Sequence, residues 1–270
     1  MMKATTEKPT RSAITLPSLK SWNVWLAFIH AIQGAVILLL SATKIFPVET
    51  HYLTLDPVST ELAGHPVLGS AMRHMFDINL AYLVAAFFFI AAIAHGIAAT
   101  VYRDRYEADL KKKINKLRWI EYALSGSTMI VAIAVLSGVA DFSTLVMLFV
   151  VNAFMYLLSL AMEVYNQGKS RPNWLVYILG VVAGIVPWFV FGVYIWGANI
   201  YGSGDIPGFV YGIYVSMFLL TAAFAANLYL QYKKSGQWKD FLYSERVFMI
   251  LSLVAKTVLA WQIFAGALRP

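Results

Sequence analysis

The stretch Ser252-Leu-Val-Ala-Lys256-Thr-Val-Leu-Ala-Trp261 sets one lysine at the centre of a long apolar run. An ammonium is costly to bury there, so an ionisable residue inside such a run is read as functional, with a partner to be named. Three kinds of chemistry are open to it. The amine can pair with the carboxylate of Glu121 and only fix helix packing, which is a weak source of stability. It can hold an ion or a proton in a transporter. Or it can condense with an aldehyde, after which the protonated product needs a carboxylate nearby. Glu121, in Arg118-Trp-Ile-Glu121-Tyr122, is the best candidate for that carboxylate.

Other side chains gather around this pair. Ser252 lies one turn before Lys256 and shares its face, and Trp261, five residues on, is expected to flank the same side. Glu121, Ser125, Thr128 and Met129 form one stripe. Asn152, Met155 and Tyr156 come from the next apolar run, Trp188 from the one after, and Tyr211, Tyr214 and Phe218 from the sixth. Each alone reads as packing; around a central lysine and one carboxylate they describe a site for a long apolar ligand with an aldehyde head. His30 and His95 fall at similar depth. No nucleophile–base pair, metal-ligand cluster or phosphate loop points to an ordinary enzyme, and there is no cysteine for thiol chemistry.

The elements that position these residues follow from composition. Hydrophobic residues make up 60% of the 270 and charged residues 13%, far from the balance of a soluble domain. A span needs about 20 mostly apolar residues. Seven runs qualify: Trp22–Phe46, Met72–Tyr102, Ile114–Val139, Phe142–Asn166, Asn173–Asn199, Pro207–Tyr232 and Ser244–Leu268. The expected fold is an all-α seven-helix bundle over residues 22–270, after a polar, basic tail of residues 1–21 that lacks the apolar core of a cleavable signal peptide. Ser137-Gly-Val-Ala-Asp141 reads as a turn, Asp205-Ile-Pro207-Gly as a cap with proline in the first helical turn, and Arg73 with Asp77 as a pair one helical turn apart. His51-Tyr-Leu-Thr-Leu-Asp56-Pro57 alternates with period two, which predicts a short hairpin in the loop after the first span.

Lysine and arginine concentrate in the N-terminal tail and in the second, fourth and sixth connections. Lys44, Arg73 and Arg269 fall on the opposite side. The positive-inside rule then predicts a multi-pass protein of the cell membrane with a cytoplasmic N-terminus and an extracellular C-terminus. Topology in a lipid bilayer accounts for the net charge of +7 without nucleic acid.

These features together resemble the heliorhodopsins, a branch of the seven-helix retinal proteins. The resemblance rests on Arg118-Trp-Ile-Glu121-Tyr122, on Ser252-Leu-Val-Ala-Lys256 with Leu259-Ala-Trp-Gln-Ile-Phe264, on Gly184-Ile-Val-Pro-Trp188, on Pro207-Gly-Phe-Val-Tyr-Gly212, and on the spacing of His30 and Gln33. The inverted orientation read from the charges is also a trait of that family. The resemblance implies all-trans retinal on Lys256 as a protonated Schiff base, isomerised by light to 13-cis. It implies Glu121 as sole carboxylate counterion, Ser252 hydrogen-bonded near the nitrogen, and His30 and His95 in a cavity that receives its proton. Asn152, Met129, Trp188 and Trp261 would help line the retinal pocket, with Gln33, Ser125 and Phe218 as further candidates. It also implies a homodimer, with strands of the first outside loop near the interface.

Pumps of the wider class usually have an aspartate four residues before the lysine, where this chain has Ser252, and often a second carboxylate about three turns past the counterion, where it has Ala132. The expectation is a light sensor with a slow photocycle and no net pumping, signalling through a cytoplasmic partner, with a light-gated channel or transporter as the alternative. Glu163 and Glu245 are expected to pair with Arg118 as a gate.

Overall fold

The computed structural model describes residues 14–270; residues 1–13 of the expected tail lie outside the described residues. Among the described residues seven helices are long and apolar enough to cross a membrane. They are α1 (Leu16–Leu40), α3 (Leu80–Ala99), α5 (Lys116–Leu136), α6 (Phe142–Tyr165), α7 (Leu175–Tyr201), α8 (Gly208–Lys233) and α9 (Phe241–Ile263), the last prolonged by a π-helical turn, Phe264–Leu268. Two short helices, α2 (Pro57–Ala63) and α4 (Arg103–Lys111), lie in connections. An odd number of spans places the two ends of the bundle's chain on opposite faces. The face with α4 carries most of the basic residues; the other carries a hairpin.

That hairpin is the largest departure from expectation. Strands β1 (Ile45–Leu55) and β2 (Leu68–Asn79) pair antiparallel along their full length. The second span therefore starts at Leu80, not Met72, and the first covers Leu16–Leu40 rather than Trp22–Phe46. Asn79 marks the change, its side chain accepting from Ala81 N at 3.0 Å, which satisfies an orphan donor of the new helix. The expected Arg73–Asp77 pair does not form. On a strand, four residues span roughly 13 Å. A register shift at Val48/Glu49 leaves Met75 unpaired; such a bulge turns neighbouring side chains onto one side, and His74 Nε2 meets Asp77 Oδ1 at 2.8 Å instead.

Caps explain the other boundaries. Asp141 accepts from Thr144 N at 2.8 Å and starts α6. Asn115 accepts from Arg118 N at 3.0 Å and starts α5. Asp205 caps nothing: Pro207 itself is the N-cap of α8, which begins at Gly208. Pro187 sits inside α7.

Helix α5 is the axial column, with 72% of its span buried. Toward the hairpin its neighbours are wholly apolar, with Phe87, Phe88, Ile133, Phe191, Leu259 and Ile263 in one buried cluster. The buried charged side chains lie in the other half or at mid-depth, where Asn152 Nδ2 also donates to Ser127 Oγ at 3.2 Å.

Candidate functional site

Lys256 and Glu121 meet. Nζ lies 3.1 Å from Oε1, and each side chain is 3% exposed. Side chains on a helix lean toward its N-terminus, and Lys256 does so: its Nζ donates to Ser252 Oγ at 2.6 Å. That lean brings the ammonium back toward Glu121; the helix starts do not close the gap in depth, since α5 begins at Lys116 and not among Lys111–Lys113, and α9 begins at Phe241, three residues earlier than Ser244. Ser125, one turn past Glu121, donates to the same Oε1 at 2.5 Å. Tyr122 presents its ring 5.4 Å from Nζ and anchors its hydroxyl on the Phe248 carbonyl at 2.8 Å. The amine is thus charge-paired, hydrogen-bonded and enclosed.

Toward the basic face stand His30 and His95, stacked at 5.7 Å between ring centroids. His95 Nδ1 lies 2.7 Å from Asn23 Oδ1, while its Nε2 and both nitrogens of His30 are buried without partners. A small cavity bounded by Asn23, His95, Tyr106, Asn115, Arg118 and Glu121 continues in that direction. Arg118 closes it. Its guanidinium forks to Glu163 and Glu245, stacks against Trp119 and Phe248 at 4.3 and 4.1 Å, and is flanked by Asn115, which binds Glu245 Oε2 through Nδ2 at 2.7 Å and Glu163 Oε2 through its backbone N–H at 2.9 Å. The expected pairs of Arg118 are both present.

On the other side of Lys256 runs a narrow cleft lined by Met129, Asn152, Tyr156, Trp188 and Met217. It shares Tyr156, Trp188, Thr221 and Phe224 with a wider apolar lobe of about 480 Å³ between α6, α7 and α8, where Phe218 also lies. Two glycines make the room. A Cβ on Gly126 would stand 2.7 Å from the Tyr156 ring, and one on Gly184 2.6 Å from Met155 Sδ. An amine at one end, one carboxylate beside it and an elongated apolar cradle fit an apolar aldehyde, and fit retinal.

Two candidates fall elsewhere. Trp261 is 37% exposed and lines an outward groove with Ile29, Ile32 and Gln33. Five residues carry it about 140° around the helix from Lys256, so it does not share the lysine's face. Asn23, Asn115 and Tyr106 were not singled out from the sequence. Asn23 carries a readable signal, since it precedes His30 by seven residues, two turns on the same face. Asn115 and Tyr106 come from a connection and its short helix, where periodicity gives no register.

Seven apolar helices around a buried lysine of the last span, paired to a carboxylate of the third, define the class of retinal-binding rhodopsins. The heliorhodopsin family model matches residues 19–268. The chain belongs to that family, and is a multi-pass membrane protein of a light-responsive, retinal-binding type. A search of curated proteins finds no match.

Proposed function

We propose that this chain is a light sensor with a slow photocycle and no net ion pumping, and that all-trans retinal is attached at Lys256 with Glu121 as counterion. Retinal supplies an aldehyde for the amine and a polyene that light isomerises. The protein's own residues do the rest. Glu121 balances the positive charge at Nζ. Ser125 holds the carboxylate oriented, and Ser252 offers an oxygen to the nitrogen. His95 and His30 supply lone pairs for a proton leaving the site. Met129, Asn152, Trp188 and Phe218 shape the apolar cradle.

One observation carries the reading: buried charged and histidine side chains continue from Lys256 to the Arg118 cluster in one direction only. The hairpin half of the bundle is packed with Ala132, Ile133, Leu259 and Ile263, all buried. A pump needs donors and acceptors on both sides of the amine. Here a proton can leave and return only by the basic face. The charge asymmetry supports a cytoplasmic assignment for that face, which makes it a natural place for a signalling partner; the cell membrane is the expected location. A homodimer contacting through the hairpin region completes the proposal. Arg118, Glu163 and Glu245 would act as the gate of the polar half.

The test combines a spectrum with a current. The full chain is loaded with all-trans retinal, beside Lys256→Ala, and then expressed in voltage-clamped cells. A visible band well to the red of free retinal, lost in Lys256→Ala, with no sustained photocurrent, is expected. No band would return Lys256–Glu121 to a structural ion pair or a transport site. A sustained current would establish a channel or pump.

A further inference from the structure

Helices commonly end on a residue in the left-handed region, and that residue is usually glycine, because a Cβ is strained there. This chain follows the rule at Gly64, Gly138 and Gly168, with φ of 69°, 93° and 70°. It breaks it twice. Lys113 has φ 60° and Lys234 has φ 51°, and they are the two non-glycine residues with positive φ among the described residues. Both close a helix by the same pair of bonds. After α4, Ile114 N reaches Asp109 O at 3.1 Å and Lys113 N reaches Leu110 O at 2.9 Å; after α8, Ser235 N reaches Leu230 O at 3.4 Å and Lys234 N reaches Gln231 O at 3.3 Å.

The two lysines come from distant parts of the chain and line one cavity of about 380 Å³ on the basic face. Lys112, Lys169 and Lys239 line it too. None of the five is in a salt bridge among the described residues. The walls are ordered: Gln167 Nε2 binds the Lys112 carbonyl at 3.4 Å, and Trp238 Nε1 binds Asn227 at 2.7 Å. At the floor, Gln231 Nε2 lies 3.5 Å from Glu163 Oε1, a carboxylate that shares the single positive charge of Arg118 with Glu245, and the five lysines of the cavity outweigh the one negative charge left over beneath them. Attraction of cations to a helix C-terminus does not explain lysine at the strained positions. Lys111 and Lys233 already stand in the last turns of the same two helices, in ordinary helical backbone.

Strained backbone that gathers unneutralised charge around one cavity marks a binding site. We propose that this vestibule binds a phosphate-bearing anion, with Lys113 and Lys234 held in left-handed backbone so that their ammonium groups face it. The phosphate can belong to a soluble molecule or to an anionic lipid headgroup. The binding does not depend on light or on retinal chemistry.

The test uses the full chain loaded with retinal, whose visible band reports an intact core independently of binding. Inorganic pyrophosphate is titrated calorimetrically into detergent-purified protein at low salt. In a second arm, retention of phosphatidylglycerol over phosphatidylcholine from mixed nanodiscs is measured by native mass spectrometry. The double variant Lys113→Gly/Lys234→Gly should melt at a higher temperature, because glycine relieves the backbone, yet bind roughly tenfold more weakly. Arg105→Ala/Lys111→Ala removes the same charge from exposed positions outside the cavity and should bind within about twofold of the native chain. Lys112→Ala/Lys239→Ala keeps both left-handed lysines and should weaken binding without raising the melting temperature. Pyrophosphate binding identifies a soluble ligand; lipid retention alone identifies a headgroup. Binding of neither, unchanged binding in the glycine variant, or equal loss in the Arg105/Lys111 control overturns the proposal.

Discussion

Asn23 orients His95. The side-chain amide of Asn23 donates to the Leu19 carbonyl at 3.0 Å and lies 3.4 Å from the Tyr106 hydroxyl, so its oxygen is what faces His95 Nδ1, at 2.7 Å. An oxygen acceptor requires a protonated Nδ1, which leaves Nε2 as the lone-pair nitrogen, buried and without a partner. A ring locked in this way presents one defined base to a departing proton. Asn23→Leu removes the lock. Nitrogen-15 NMR of the native protein should show a single His95 tautomer protonated at Nδ1, and the variant a mixture. The unpaired ring should also cost about 1–3 kcal/mol of stability. A native spectrum with Nε2 protonated would contradict the assignment.

The Glu121 carboxylate is shared, and under the proposed counterion role that sets a colour prediction. Ser125 Oγ and Lys256 Nζ both address Oε1 of Glu121. The serine draws negative charge away from the amine. In the retinal-loaded protein, Ser125→Ala should concentrate that charge on Nζ, hold the positive charge there more firmly, and move the visible band to the blue. Glu121→Asp retracts the carboxylate by one methylene and should move it to the red. Visible spectra of both variants decide the matter; shifts in the same direction would show that Oε1 is not the controlling anion.

The seven spans and the lysine–carboxylate pair were legible because each is a local signal. Apolar length marks a span, and a charge inside it stands out. Glu163 and Glu245 as partners of Arg118 were legible by depth alone. The hairpin was under-read: Arg73 and Asp77, four residues apart, pass as a pair on the start of a helix, and only the long-range pairing of this stretch with β1 decides otherwise. Trp261 was misplaced because a spacing of five was taken as the same face. The φ of Lys113 and Lys234 left no trace in composition, since glycine is what a reader looks for at such ends.

Arg118 holds two carboxylates whose side chains are completely buried. Removing it leaves both without a cation. Breaking one buried pair costs about 3–5 kcal/mol, so Arg118→Met should unfold or fail to accumulate. Arg118→Lys should be nearly as damaging, because a point charge cannot fork to two carboxylates as a guanidinium does. Adding Glu163→Gln and Glu245→Gln to Arg118→Met should restore most of the lost thermal stability. Absence of that rescue would mean the arginine acts through its stacking on Trp119 and Phe248 instead.

The junction of hairpin and bundle should be acid-sensitive. Asp141 accepts from the backbone N–H and the hydroxyl of Thr144, both at 2.8 Å, and lies 3.6 Å from His51 Nδ1. These contacts, the Thr144 N–H foremost, hold its carboxyl below its ordinary value of 3.8. A depressed carboxyl contributes stability that is fully present above the unfolded value and is lost as the pH falls through the folded one. Glu49 N donates to Ala140 O at 2.9 Å beside it. Amide exchange at Thr144 and Glu49 should therefore rise below about pH 4 beyond the intrinsic trend, and Asp141→Asn should flatten the rise. Exchange that stays flat in the native chain would place the acid-labile contact elsewhere.

Gly126 lines the narrow cleft beside the Lys256 amine, on α5 opposite Tyr156 of α6, which lines it too. A methyl group at Gly126 would stand 2.7 Å from Tyr156 Cε2 and 2.8 Å from its hydroxyl. Neither helix can retreat in a packed bundle, so the ring must swing, and Tyr122 blocks one direction at 5.7 Å between centroids. The open direction is the cleft. Gly126→Ala should thus cost about 1–3 kcal/mol of stability from overpacking and load all-trans retinal several-fold less completely than the native chain, read from the visible band during titration of the apoprotein. Adding Tyr156→Ala makes room for the methyl and should return loading toward the native level. If Gly126→Ala alone loads like the native protein, the ligand does not pass between α5 and α6, and the cradle must be sought on another side of Lys256.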